Sequence, residues 1–101
     1  MVDTYSGSGA AKETAHSVKL EGEYDLARRE ELATLFSSVS AHGPATVDMS
    51  GVTYVDSSFL HELARLHFRL NGNVITLTGT SAAMRRLLSI VNFDQLFSIE
   101  V

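Results

Sequence analysis

Three consecutive polar residues, Asp56, Ser57 and Ser58, are the part of this chain best suited to chemistry. An acid beside two hydroxyls supplies two residue types of a hydrolase triad, and His61 and His67 follow closely. The serines do not lie in a G-x-S-x-G elbow, however, and residues confined to one helix start cannot surround a substrate. We therefore do not expect this chain to be an enzyme.

Metal and cofactor chemistry is not expected either. His61 and His67 are six positions apart, whereas paired metal ligands on a helix are four apart, and the chain contains no cysteine. It also contains neither a Walker loop nor a G-x-G-x-x-G turn. The sequence thus predicts no metal and no cofactor, and any phosphate donor would have to come from a partner.

The residues before this triplet predict a strand that leads into a helix. Apolar and polar side chains alternate from Ala45 to Met49, and Ser50-Gly51 breaks the pattern. Asp56 then offers an oxygen suited to cap a helix. Ser57 and Ser58 fall in the first turn, where their hydroxyls either satisfy free backbone N–H groups or face another molecule.

The predicted central helix has two faces. Its apolar positions are Leu60, Leu63, Ala64 and Leu70, whereas Glu62, Arg65 and Arg69 group on the opposite face. Asn71-Gly72 ends it, because glycine readily adopts the left-handed conformation found just past a helix.

The rest of the chain alternates the same two element types. Strands are predicted at His16–Glu23, Asn73–Thr78 and Leu96–Val101. One helix is predicted between a cap at Asp25 and a stop at His42-Gly43-Pro44, and its apolar stripe is Leu32, Leu35, Phe36 and Val39. Another helix is predicted after a cap at Thr80 or Ser81, and its apolar stripe is Met84, Leu87, Leu88 and Val91. This order is typical of an α/β domain with a mostly parallel or mixed sheet.

Length and composition limit the possible functions. With 101 residues, the chain is expected to form one domain at residues 15–101, preceded by a flexible segment at 1–14 with a possible edge strand at Met1 to Tyr5. A net charge of −4 argues against nucleic-acid binding. No apolar run approaches the roughly 20 residues that span a bilayer. We expect a cytoplasmic protein without direct membrane insertion.

Three stretches carry a family resemblance: LEGEYD at 20–25, VDMSGVTYVDSS at 47–58 and SAAMRRLLSIVNFDQLF at 81–97. In this order and spacing they resemble a STAS domain, the fold of anti-sigma factor antagonists, over roughly residues 18–101. The resemblance implies a small sheet with helices packed on one side. It also implies a serine at the start of the central helix that is phosphorylated by an anti-sigma factor acting as a serine kinase.

The resemblance places the phosphate acceptor at Ser58, with Ser57 as the alternative. We expect the contact surface for the partner to include Asp25, Asp56, Ser57, Ser58, Phe59 and Glu62.

One position departs from the family pattern, which usually has glycine directly after the acceptor serine. Phe59 stands there instead. Either the partner's groove has changed to receive a ring, or the chain is only a docking surface. The second case corresponds to a STAS subunit of an ABC-type transport complex that docks on the ATPase subunit without phosphorylation.

Overall fold

The computed structural model describes residues 16–101. The strands in this range are β1 (Ser17–Tyr24), β2 (Ala45–Val55), β3 (Ile75–Thr78) and β4 (Ser98–Ile99). The α-helices are α1 (Arg29–Ser37), α2 (Ser57–Leu70) and α3 (Ala82–Ile90), and short 3-10 turns occupy Leu26–Arg28 and Phe93–Gln95. The N-terminal segment at 1–14 and its possible edge strand lie outside the described residues.

The described strands form one sheet in the order β1-β2-β3-β4, and each neighbouring pair is parallel. A parallel connection requires a crossover, and here each crossover contains one α-helix. The predicted α/β class is confirmed, with a sheet that is parallel throughout the described range.

The core lies between one face of the sheet and the helices. In β2 the side chains of Ala45, Val47 and Met49 are buried, while the intervening polar residues are partly or fully exposed. Facing them, α2 contributes an apolar stripe at helical spacing, which consists of Phe59, Leu63, Leu66 and Leu70. Buried residues of α1 and α3 belong to the same core, which confirms that the helices pack on one side; these residues are Leu32, Phe36, Met84 and Leu88.

The predicted break at Ser50-Gly51 is wrong, because β2 continues to Val55. The two strands differ in length between two of their register pairs. From the pair Lys19–Asp48 to the pair Tyr24–Val55, β1 advances five residues and β2 advances seven. Two bulges absorb the difference. At Gly51 the strands approach so closely that an added Cβ would lie 3.1 Å from the Leu20 carbonyl oxygen. The glycine therefore permits the bulge rather than ending the strand.

The last strand is shorter than predicted. Only Ser98 and Ile99 have register partners in β3. Glu100 adds two backbone hydrogen bonds, donating to the Leu77 carbonyl oxygen and accepting from the Thr80 N–H, and Val101 is 84% exposed. The sheet offers little more to pair with, since β3 itself has four residues and turns away at Gly79.

Replacing Gly79 tests how closely the turn after β3 approaches β2. Gly72 and Gly79 both have positive φ, at +98° and +66°, but a Cβ added at Gly79 would lie 2.8 Å from the Ser50 backbone nitrogen, whereas one at Gly72 meets no atom within 4 Å. We expect Gly72→Ala to lower the free energy of unfolding by about 1–2 kcal/mol through backbone strain. Gly79→Ala should lose about 1–3 kcal/mol more, through overpacking. Urea unfolding measures both, and equal losses would contradict the close approach.

Candidate functional site

The candidate site lies where β1 and β2 end side by side. Tyr24 and Val55 are register partners, so the next residues, Asp25 and Asp56, leave the same edge of the sheet. The backbone N–H of Asp56 donates to the Tyr24 carbonyl oxygen at 3.3 Å, which extends the pairing into the loop. Strand register therefore brings together two acids that are far apart in sequence.

Each of these acids caps the element that follows it. The Asp56 side chain accepts from the Ser58 N–H at 2.8 Å and begins α2. The Asp25 side chain accepts from the Ala27 N–H at 3.0 Å and begins the 3-10 turn that leads into α1. Both predicted caps are confirmed. A carboxylate there also interacts favourably with the positive end of the helix dipole.

The two serines that follow Asp56 are not needed for capping. Ser57 is exposed and Ser58 is half-buried. The Ser58 N–H already has the Asp56 carboxylate as its acceptor. Within residues 16–101, neither seryl hydroxyl makes a hydrogen bond to another residue. The capping alternative is thus carried by Asp56, and the serine hydroxyls remain available to another molecule.

The structure corrects the assignment of Phe59 to the contact surface. Its side chain is 0% exposed and its ring centroid lies 6.2 Å from that of Tyr24, inside the core. A residue this deeply buried cannot touch a partner in this conformation. The ring also leaves the approach to the helix start open, so neither a changed groove nor the loss of phosphorylation is required by its bulk.

The structure also corrects the position of Glu62, which was predicted on the polar face of α2. Its side chain is only 4% exposed, and its Oε2 accepts from Arg29 Nε at 2.8 Å. The Arg65 guanidinium lies 3.6 Å from the same oxygen. A buried carboxylate requires such partners, because desolvating an unpaired charge is expensive. Glu62 therefore joins α2 to α1 rather than contributing directly to an exposed surface.

Sequence reasoning overlooked Arg28, which stabilises the loop that carries Asp25. Its guanidinium donates to the carbonyl oxygens of Glu21 and Glu23 at 2.8 and 3.0 Å and lies 4.2 Å from the Tyr24 ring centroid. It also pairs with Glu31 at 2.6 Å. This hydrogen bond lowers the pKa of the Glu31 carboxyl and raises the pKa of the guanidinium. An arginine just after a strand end and three residues before a glutamate was the available signal.

The two histidines of α2 have different surroundings. His61 is exposed, and the His67 ring packs against Phe97 with centroids 5.7 Å apart. Across residues 16–101, no group of three or more metal-binding side chains is placed to hold an ion. No helix in the same part of the chain has both the length and the apolar character needed to cross a membrane.

Replacing Asp56 tests its role as the cap of α2. We expect Asp56→Ala to lower the free energy of unfolding by about 0.5–2 kcal/mol, because the Ser58 N–H loses its acceptor. Asp56→Asn keeps a side-chain oxygen and should lose much less. Thermal and urea unfolding followed by circular dichroism measure both, and equal losses for the two variants would contradict capping by the side-chain oxygen.

Replacing Phe59 tests whether its ring is part of the core. We expect Phe59→Ala to lower the free energy of unfolding by about 3–5 kcal/mol, because it empties a buried site. Phe68→Ala is the matched control: that ring is 75% exposed on the same helix, and a change of about 0.5 kcal/mol or less is expected. Similar losses in urea unfolding for the two would contradict the inward placement of Phe59.

Comparisons with known proteins agree with this architecture. The family model described as "Mlab, STAS domain" matches residues 9–99. A STAS-domain-containing protein of Pseudomonas aeruginosa is 30% identical over 86 residues, which cover 82% of this chain and 85% of that protein.

Two solved structures show the same fold. A candidate anti-sigma factor antagonist from Thermotoga maritima superposes with a TM-score of 0.70 at 16% identity, covering 87% of this chain and 81% of the other. The anti-sigma factor antagonist SpoIIAA, in its unphosphorylated form, gives a TM-score of 0.61 at 17% identity with the same coverage. With a family model that spans nearly all of its length, a parallel sheet and an acid-capped central helix, the chain belongs to the STAS domain family.

Proposed function

We propose that this chain is a protein-binding module of the anti-sigma factor antagonist type. It docks on an anti-sigma factor that is also a serine kinase, and phosphorylation of Ser58 weakens that contact. The observation that carries the proposal is the start of α2, where Asp56 supplies the cap and leaves the hydroxyls of Ser57 and Ser58 without a partner in residues 16–101. The likeness to SpoIIAA, a named anti-sigma factor antagonist solved in an unphosphorylated form, supports the same assignment.

The surroundings of the helix start suit a protein partner. Leu26 directly follows Asp25 and is 67% exposed, and Tyr54 lies near the end of β2 and is 53% exposed. Exposed apolar side chains beside acids provide the apolar centre and the polar rim that protein interfaces combine. The complementary surface of the partner should therefore carry positive charge around an apolar pocket.

Phosphorylation would regulate partner binding through charge. The kinase transfers a phosphoryl group from ATP to the Ser58 oxygen, so ADP leaves and the hydroxyl proton passes to the kinase. The phosphate adds roughly −1.5 to −2 charges. The folded chain tolerates an anion at a helix N-terminus. A partner that buries a hydroxyl there must instead desolvate a dianion beside Asp56, and binding weakens without a change of fold.

The buried ring of Phe59 is equally compatible with a second function. A STAS subunit of an ABC-type transport complex would use the same surface to dock on the ATPase subunit, and it would need no acceptor serine. The retained protein and its response to charge at position 58 separate the two functions.

Affinity purification tests the proposal directly. The unsubstituted chain, Ser58→Ala and Ser58→Asp are immobilised, and proteins retained from the source cells are identified by mass spectrometry. We expect the first two to retain a serine kinase with an ATP-binding domain, and Ser58→Asp to retain at least about tenfold less, because a loss of 1.4 kcal/mol corresponds to tenfold. Phosphate on the purified native chain should map to Ser58 or Ser57.

Ser89→Asp is the matched control, since Ser89 is exposed on α3 and receives the same added charge away from the helix start. It should bind like the unsubstituted chain. Equal retention of the kinase by all variants would contradict switching at Ser58. Retention of a transporter ATPase by all of them would instead favour the second function.

A further inference from the structure

One stripe of α2 faces α1 along its length. Glu62 pairs with Arg29 at the start of α1, and Arg69 donates to the carbonyl oxygens of Phe36 and Val39 at its end. Between these contacts the helices enclose a groove of about 220 Å³. Ser58 precedes Glu62 by four residues, so it lies on the same stripe one turn earlier. The proposed acceptor is therefore close to the α1 contact.

Glu62 has a second arginine close to its carboxylate. Its Oε2 lies 2.8 Å from Arg29 Nε and 3.6 Å from Arg65 Nη1. If Arg29 leaves, Arg65 can neutralise the buried carboxylate without leaving α2. Removing one partner of a buried pair is normally strongly destabilising because a charge is left unpaired. The second arginine lowers that cost and makes an exchange of partners feasible.

Helix geometry places the Ser58 side chain one turn before the carboxylate that Arg29 binds. Residues four apart on a helix have Cβ atoms about 5–6 Å apart, and helical side chains lean towards the N-terminus, so the Glu62 carboxylate lies over the turn of Ser58. The guanidinium that binds Glu62 therefore lies beside the same turn of α2 as the Ser58 side chain. Arg28 is less available, because it already binds two carbonyl oxygens and Glu31.

We propose that a phosphate on Ser58 takes Arg29 from Glu62, while Arg65 takes over the buried carboxylate. The exchange rests on the proposed phosphorylation of Ser58 and specifies how the chain itself responds. A phosphate attracts a guanidinium more strongly than a carboxylate does, because it carries more charge and offers three acceptor oxygens. The Arg29 side chain therefore responds to the charge at Ser58 by changing its partner.

The exchange would extend the effect of the phosphate beyond Ser58. Arg29 is the first residue of α1 and directly follows the 3-10 turn that carries Leu26 and is capped by Asp25. Drawing Arg29 towards the start of α2 changes the contact that holds this turn beside the helix. The 3-10 turn and the start of α2, which together form the proposed docking surface, would then both respond to one modification.

The test uses the full chain with phosphoserine incorporated at position 58 during translation. A ³¹P NMR titration measures the second pKa of the phosphate, which is about 6 in the absence of specific partners. We expect Arg29→Gln to raise this pKa by about 0.5 units or more, because a nearby cation favours the dianion. Arg65→Gln should raise it as well, because Glu62 then keeps Arg29. Arg86→Gln is the matched control, since Arg86 is exposed on α3, and it should raise the pKa by less than half as much as Arg29→Gln. Glu62→Gln should lower it, because the competitor for Arg29 is gone.

A second measurement needs no substitution. The ¹⁵N resonance of Arg29 Nε should shift when Ser58 carries the phosphate. Equal pKa changes for Arg29→Gln and Arg86→Gln, or an unchanged Arg29 resonance, would overturn the exchange. Because the phosphate is built in and no partner is present, this result is independent of the affinity purification, which tests whether a kinase binds and modifies the chain.

Discussion

The structure depends on the parallel pairing of β1 with β2 over their whole length. This pairing ends with Tyr24 opposite Val55, so the two chain segments that leave the sheet carry Asp25 and Asp56 side by side. The register survives two bulges in β2, and Gly51 allows the backbones to approach at the first of them. Without this register, the 3-10 turn and the start of α2 would not share one surface.

The core holds α2 in place so that its first turn is presented in a defined orientation. Phe59, directly after the two serines, is fully buried, and Leu63 and Leu66 continue the same stripe. The capping carboxylate and the inward ring thus anchor the turn from both sides, while Ser57 faces solvent. A rigid helix start suits control by charge, because a phosphate changes the interaction energy there without requiring the fold to change.

The contact between α1 and α2 combines apolar packing with one buried acid. Glu62 lies among apolar neighbours but is held by Arg29, and Arg69 binds the carbonyl oxygens at the end of α1. Ion pairs of this kind contribute little net stability, because desolvation opposes attraction. Their geometric requirements are strict, however, so they orient α1 against α2. In the exchange that we propose, the same strictness makes the pair sensitive to a phosphate one helical turn away.

The sequence by itself determined the order of strands and helices, the caps at Asp25 and Asp56, and the end of α2 at Asn71-Gly72, because these follow from periodicity and from local backbone chemistry. It left the cap of α3 open between Thr80 and Ser81, and the structure has Ser81. Only the tertiary structure decided that β2 continues through Gly51, that Phe59 points inward and that Glu62 is buried beneath Arg29. Each of these depends on which distant segment lies opposite: Leu20 for Gly51, Tyr24 for Phe59 and the start of α1 for Glu62. Local pattern shows that a side chain can be buried, but the packing partner determines whether it is.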